Sequence, residues 1–309
     1  MRAMFADPKT DFVFKRIFGT VEHKALLIAL LNDMLELDGE RRILDVQHLS
    51  GDQHVAIPEL KHSIVDVKCK DASGRFFVVE MQVLNVEGFE KRVVYNASKA
   101  YVMQLPSAGG YRALCDVIGV TICDFNLWPE RDASGQYKLP MLSRWRMQEQ
   151  QNGEHGLPQV QYVFLELPKY TAGDAPQTLV DRWAYFFRET NNLDTVPSAL
   201  SEQPFRGALE IARVATFTLG EWDAYDRAKM AEQDARGALT LARREGQAHG
   251  QAQGQAQAKR DFLIHLLARS RLILTKDDQE RVTQCTDLAV LDRWLDSALS
   301  ATTVTDVFS

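Results

Sequence analysis

Hydrophobic and polar positions change period several times along the chain, and each change marks an element. Between residues 63 and 83 two runs alternate: Ser63-Ile64-Val65-Asp66-Val67-Lys68-Cys69-Lys70 and Phe76-Phe77-Val78-Val79-Glu80-Met81-Gln82-Val83. The turn-forming Asp71-Ala72-Ser73-Gly74-Arg75 lies between them, so the segment predicts an antiparallel hairpin. Upstream, Asp7-Pro8 precedes Phe14, Ile17, Phe18 and Val21, and Leu26, Leu27, Leu30, Leu31, Met34 and Leu35 continue at helical spacing. This predicts two amphipathic helices or one bent one. Downstream, Phe89, Val93, Ala97, Ala100, Tyr101 and Gln104 give a helix whose other side carries Lys91, Arg92, Tyr95, Asn96 and Lys99. The continuous apolar run 117–122 predicts a strand covered on both faces, and 159–167 predicts another. Residues 177–244 return to helical spacing. Together these elements predict an α/β fold, a mixed core flanked by helices.

The pattern then breaks at Glu245-Gly246-Gln247-Ala248-His249-Gly250-Gln251-Ala252-Gln253-Gly254, a four-residue repeat. Gln and Ala favour helix, whereas each glycine costs about 1 kcal/mol there. A flexible linker and a helix whose small-residue stripe admits a second chain both remain open. Beyond it, Phe262, Leu263, Leu266 and Leu267, then Leu288, Leu291, Trp294, Leu295 and Leu299, predict a small helical appendage. The expected organisation is a core over 1–236, a linker or helix over 237–260 and a helical domain over 261–309.

Composition narrows the chemistry. The 309 residues are 45% hydrophobic and 25% charged, as in globular proteins. A net charge of −6 argues against nonspecific coating of nucleic acid but leaves room for a local basic cleft. The first nine residues hold no apolar stretch, and the longest apolar run, 25–31, ends at Asn32-Asp33, so neither an export signal nor a membrane span is expected. The four cysteines form no CxxC pair, which fits a reducing cytoplasm. None of the seven histidines has ligand spacing with another His or a Cys, and no phosphate-binding glycine loop or GxSxG elbow occurs. Carboxylates remain.

A turn centred on Ser73 sets Asp66 opposite Glu80, Ile64 opposite Gln82 and Lys68 opposite Val78. Asp66, Glu80, Gln82 and Lys68 then share one face, and Val65, Val67, Phe77, Val79 and Met81 the other. Two ionised carboxylates with Cβ atoms about 5 Å apart repel by roughly 3 kcal/mol at an effective dielectric near 20. A bound divalent cation, a raised pKa or screening by water would each offset this, and a solvated face with a shifted register is a fourth reading. On the next helix, Arg92 and Lys99 suit phosphate binding or an ordinary solvated face. Asp11 and Lys15 form an i,i+4 pair worth a few tenths of a kcal/mol.

The stretch Asp7-Pro8-Lys9-Thr10-Asp11-Phe12-Val13-Phe14-Lys15-Arg16-Ile17-Phe18-Gly19, with Val65-Asp66-Val67, Val79-Glu80-Met81-Gln82, Arg92-Val93-Val94-Tyr95 and Leu165-Glu166-Leu167-Pro168-Lys169, resembles the Rpn family of recombination-promoting nucleases. These are transposase-like members of the PD-(D/E)XK superfamily. The glycine repeat looks like that family's linker, and residues 262–308 resemble a helical domain found behind such nucleases, with Ile273-Leu274 where Phe-Gly is expected. The resemblance implies a restriction-endonuclease-like mixed sheet and a DNA endonuclease using Mg²⁺, or Mn²⁺, held by Asp66 and Glu80 with Asp11 nearby. The family's third motif residue is usually lysine; here it is Gln82, which orients water but carries no charge. Lys68 or Lys70 on the paired strand would supply that charge, Lys68 being the one on the carboxylate face, and Arg92, Lys99 and Tyr95 would position the DNA backbone. A rival reading is a nuclease-derived protein that no longer cuts and acts by binding DNA or by self-association through its C-terminal region.

Overall fold

The computed structural model describes residues 4–53, 63–105 and 109–308. The N-terminal apolar spacing resolves into two helices, α1 (Asp11–Phe18) and α2 (Lys24–Leu35), broken at Gly19, whose N–H donates to the Lys15 carbonyl at 2.7 Å. Strands β1 (Val46–Leu49) and β2 (Asp52–Gln53) follow. The first alternating run is not one strand but two, β3 (Ser63–Ile64) and β4 (Val67–Asp71), separated by a bend at Asp66. Then come β5 (Phe76–Gln82), α3 (Phe89–Val102), β6 (Val117–Cys123), β7 (Leu142–Met147) and β8 (Leu157–Glu166).

Six strands form one mixed sheet in the order β1-β4-β5-β6-β8-β7. Strands β5, β6 and β8 are parallel, whereas β1–β4, β4–β5 and β7–β8 pair antiparallel. Every residue of β6 is buried, as its unbroken apolar run requires. Helices α1 and α2, with α4 (Leu179–Glu189) and α5 (Phe205–Ala212), contribute to the core on one face, where Phe14, Phe18, Trp183 and Phe187 meet Val67, Phe77, Val79 and Met81. On the other face α3 sets Ala97 and Ala100 against Val65, Val78 and Val117. The result is a restriction-endonuclease-like mixed α/β core flanked by helices.

Two details of the expected hairpin change. Lys68 does pair with Val78, and Val67 with Val79, but Ile64 pairs with Asp52 of β2 rather than with Gln82. The bend also resets the alternation, so Val65 packs with Val78 beneath α3 instead of with Val67. Nor is the carboxylate face solvated, because α3 covers it and leaves Glu80 and Lys68 buried.

At the far end of β8, Glu166 and Lys169 form a fully enclosed ion pair at 2.6 Å. The chain divides into two units, Met1–Glu232 and Gln233–Ser309, and the division falls within α6 (Leu219–Arg269), whose helical residues include the glycine repeat. The second unit has its own core: Ala256, Leu263 and Leu267 of α6 pack with Val282 of α7 (Lys276–Gln284), Leu291 and Trp294 of α8 (Leu288–Ala298), and Val307 of α9 (Val304–Phe308). Among the described residues no helix is long and apolar enough to cross a membrane.

Candidate active site

The bend before β4, the C-terminal end of β5 and the first turns of α3 surround a cavity of about 870 Å³, lined among others by Asp11, Asp66, Glu80, Gln82, Arg92, Tyr95 and Asn96. The bend takes Asp66 out of the ladder and turns its carboxylate toward β5. Its Oδ2 accepts the Met81 N–H at 2.9 Å, and its Oδ1 lies 3.7 Å from Lys15 Nζ. Lys15 is itself held by Asp11 Oδ1 at 2.5 Å, one helical turn back along α1. Glu80, on β5, accepts a 2.7 Å hydrogen bond from Asn96 Nδ2 at Oε1, while Oε2 lies 4.0 Å from the Arg92 guanidinium.

Each carboxylate therefore has one oxygen tied to an N–H donor and a second facing a more distant cation. The energetics follow from burial. Desolvation pushes the Asp66 carboxyl up to about 6, against the pull of the Met81 N–H and Lys15, and the nearby Glu80 charge adds to the rise. Burial raises Glu80 too, opposed by Asn96 and Arg92. Protein cations thus compensate the pair incompletely. Such a pair suits a hard divalent ion, which commonly binds one or two carboxylates and keeps several waters. Among the described residues no three His, Cys, Asp or Glu side chains gather to complete a metal cage, so water or substrate oxygens would fill the remaining positions.

Gln82 is engaged at both ends. Its Oε1 accepts from the Arg92 guanidinium and its Nε2 donates to the Leu84 carbonyl at 2.6 Å. Arg92, 5.3 Å above the Phe89 ring, is thereby fixed toward the cavity. Lys68 and Lys99 do not line it. Lys68 is buried on the Glu80 face of the sheet, and burial together with the Lys99 charge lowers its pKa. Lys99 donates to Ser63 Oγ at 3.3 Å, with its ammonium 5.5 Å from the Tyr95 ring.

The structure thus gathers Asp11, Asp66, Glu80, Gln82, Arg92 and Tyr95 around one cavity and leaves Lys68 and Lys99 outside its lining. Two residues that pattern reading did not single out for this site, Lys15 and Asn96, contact the carboxylates directly. The available signals were helical: Lys15 follows Asp11 by four residues, and Asn96 follows Arg92 by four.

A family model described as PD-(D/E)XK nuclease family transposase matches residues 8–242. Neither a curated protein nor a solved structure matches the chain.

Proposed function

Because the chain belongs to the PD-(D/E)XK nuclease family of transposases, we propose that it is a DNA endonuclease hydrolysing phosphodiester bonds at a divalent metal held by Asp66 and Glu80. The observation that supports this most is the pair of incompletely compensated carboxylates on one cavity wall, Glu80 buried and Asp66 half-buried. When bound, Mg²⁺ or Mn²⁺ would lower the pKa of a coordinated water and polarise a phosphoryl oxygen. The chain's own groups set the geometry. The Met81 N–H fixes the orientation of Asp66, and Asn96 fixes that of Glu80. Gln82 clamps Arg92, whose guanidinium is suited to a backbone phosphate, with Tyr95 on the same cavity wall. Lys68 and Lys99 add positive charge from behind the lining. A cytoplasmic setting, a role in recombination, element mobility or defence, and self-association through the C-terminal unit complete the proposal.

The test uses supercoiled and linear DNA with Mg²⁺, Mn²⁺ or a chelator. Metal-dependent nicking is expected of the wild type, and Asp66→Ala and Glu80→Ala should each lower it at least about 100-fold. Nicking that persists in both variants would place the chemistry elsewhere. Gln82 motivates a second reading, since a neutral amide stands at the usual lysine position and both its ends are occupied. Retained DNA binding with no metal-stimulated cleavage is the result that would favour this binding protein.

Asn96 gives a subtler prediction. Removing the donor that orients a ligating carboxylate typically weakens metal binding about 10- to 100-fold, so Asn96→Ala should shift half-saturating Mg²⁺ upward by that factor. A Mg²⁺ dependence superimposable on the wild type would show that Glu80 needs no such support.

A further inference from the structure

Around Asp66 and Glu80 the cations differ in what they are free to do. Position 82 is neutral, and its amide is spent on Arg92 and the Leu84 carbonyl. Arg92 is committed to Gln82 and stacked on Phe89. Lys68 and Lys99 are buried and do not line the cavity. Lys15 is placed differently. Its side chain is 39% exposed, close to the 42% of Arg92, and it differs in reach: its Nζ sits 2.5 Å from Asp11 Oδ1 and 3.7 Å from Asp66 Oδ1.

The helix that carries Lys15 is rigidly seated. Val13, Phe14, Ile17 and Phe18 of α1 are buried in the main core, so the one-turn spacing of Asp11 and Lys15 is presented as a fixed polar edge. Asp11 lines the carboxylate cavity and also a second cavity of about 840 Å³, whose wall includes Lys15, Arg16 and Arg227 together with Glu22 and Glu221, the last ion-paired with Arg16. Lys15 lines the second cavity and not the first, but its ammonium reaches Asp66 on the wall of the first, so it stands where the two approach each other, with Asp66 on one side and a wall of mixed charge on the other. An anionic chain running from one cavity to the other would pass its ammonium.

We propose that Lys15 is the substrate-directed cation of this site: held by Asp11, its ammonium stabilises the negative charge that builds on the scissile phosphate beside Asp66, a task the amide at position 82 cannot perform. This rests on DNA hydrolysis at Asp66 and Glu80. A lysine acts here as a compact point charge with three donors, so reaching Asp66 from a different element leaves its role intact. The Asp11 contact limits its rotamers and keeps it from collapsing onto Asp66 alone.

The experiment compares Lys15→Met, Lys15→Gln and Lys15→Arg with the wild type and Asp66→Ala in the full chain, reading kcat and KM on plasmid DNA. Mn²⁺ binding is measured separately by calorimetry without DNA, and melting temperature reports folding. Losing one preorganised donor to a developing charge typically costs about 100- to 1000-fold in kcat. That loss is expected in Lys15→Met and Lys15→Gln, with KM and Mn²⁺ affinity within about threefold of the wild type and Lys15→Arg recovering at least about tenfold of it. A kcat near the wild-type value in Lys15→Met overturns the inference. So does an equal loss in the Arg and Met variants accompanied by weaker Mn²⁺ binding, which would make Lys15 a structural counter-ion. A wild type that does not cut, or an Asp66→Ala that cuts normally, overturns the proposed site and this inference with it. Normal dependence on Asp66 with indifference to Lys15 overturns this inference alone.

Discussion

Asp66→Asn and Glu80→Gln are expected to make the metal-free protein more stable at neutral pH while abolishing cleavage. Asp66 shifts from the ordinary carboxylate value of 3.8 to about 6 in the fold, chiefly through burial. An acid with a raised folded pKa binds more protons folded than unfolded between the two values. Its favourable contribution is therefore complete below about pH 4 and is lost as pH rises through about 6. A shift of this size corresponds to something of the order of 3 kcal/mol. Glu80 moves in the same direction and adds to the effect. An isosteric amide lifts the cost of ionisation while keeping an acceptor for the Met81 N–H or the Asn96 amide. Thermal melts should show each variant above the wild type at about pH 7.5 and the difference closing toward about pH 4. Added Mg²⁺ should raise the wild-type melt alone, because stabilisation by a ligand requires that it bind the folded state. Variants that melt below the wild type at neutral pH would mean that the carboxylates sit in a sufficiently cationic environment without metal.

The parts of this site readable in the sequence are those fixed by local chemistry. The hairpin register depends on the turn, where Asp71 Oδ1 accepts the N–H groups of Ser73 and Arg75. Gly74 there takes φ +90°, and a Cβ would meet Cys115 Sγ at 2.8 Å. Strand β6 was equally plain, since an apolar run covered on both faces carries its own signature. The bend at Asp66 was not. A polar residue inside a period-two run looks the same whether the strand continues or breaks there. Strands β1 and β7 were hidden for a related reason, being edge strands mostly exposed or half-buried and thus without a clear apolar period. Covering of the carboxylate face by α3, and the approach of Lys15 from α1, are long-range events that no local pattern encodes. They turn a pair of acids on a hairpin into a buried site.

Glu166→Ala is expected to be strongly destabilising although it lies outside the cavity. Glu166 is enclosed at the end of β8, with Oε1 on Lys169 Nζ at 2.6 Å and Oε2 accepting the N–H groups of Leu127 and Trp128 at 2.7 and 3.1 Å. Its removal leaves a buried ammonium whose remaining hydrogen bond is to the Leu139 carbonyl, and it orphans two backbone donors. Breaking one partner of such a pair costs about 3–5 kcal/mol. In a unit of this size that lowers the melting temperature by about 10 °C. Lys169→Met should cost less, because Glu166 keeps its two N–H donors, and Glu166→Gln combined with Lys169→Met less than Glu166→Ala, since no charge is left unpaired. The ordering matters for the site. Glu166 aligns with Cys123, and Cys123 with Gln82, in one row across three parallel strands. The loop that Glu166 holds carries Phe125 onto Phe89 at the start of α3, with ring centroids 5.5 Å apart. Loosening that loop frees the helix that delivers Arg92 and Asn96, so cleavage by Glu166→Ala should fall about tenfold even well below its melt. A melting temperature within about 2 °C of the wild type would show that the pair contributes little to stability. Unchanged cleavage alongside a large drop in melting temperature would confine Glu166 to stability and detach it from the placement of α3.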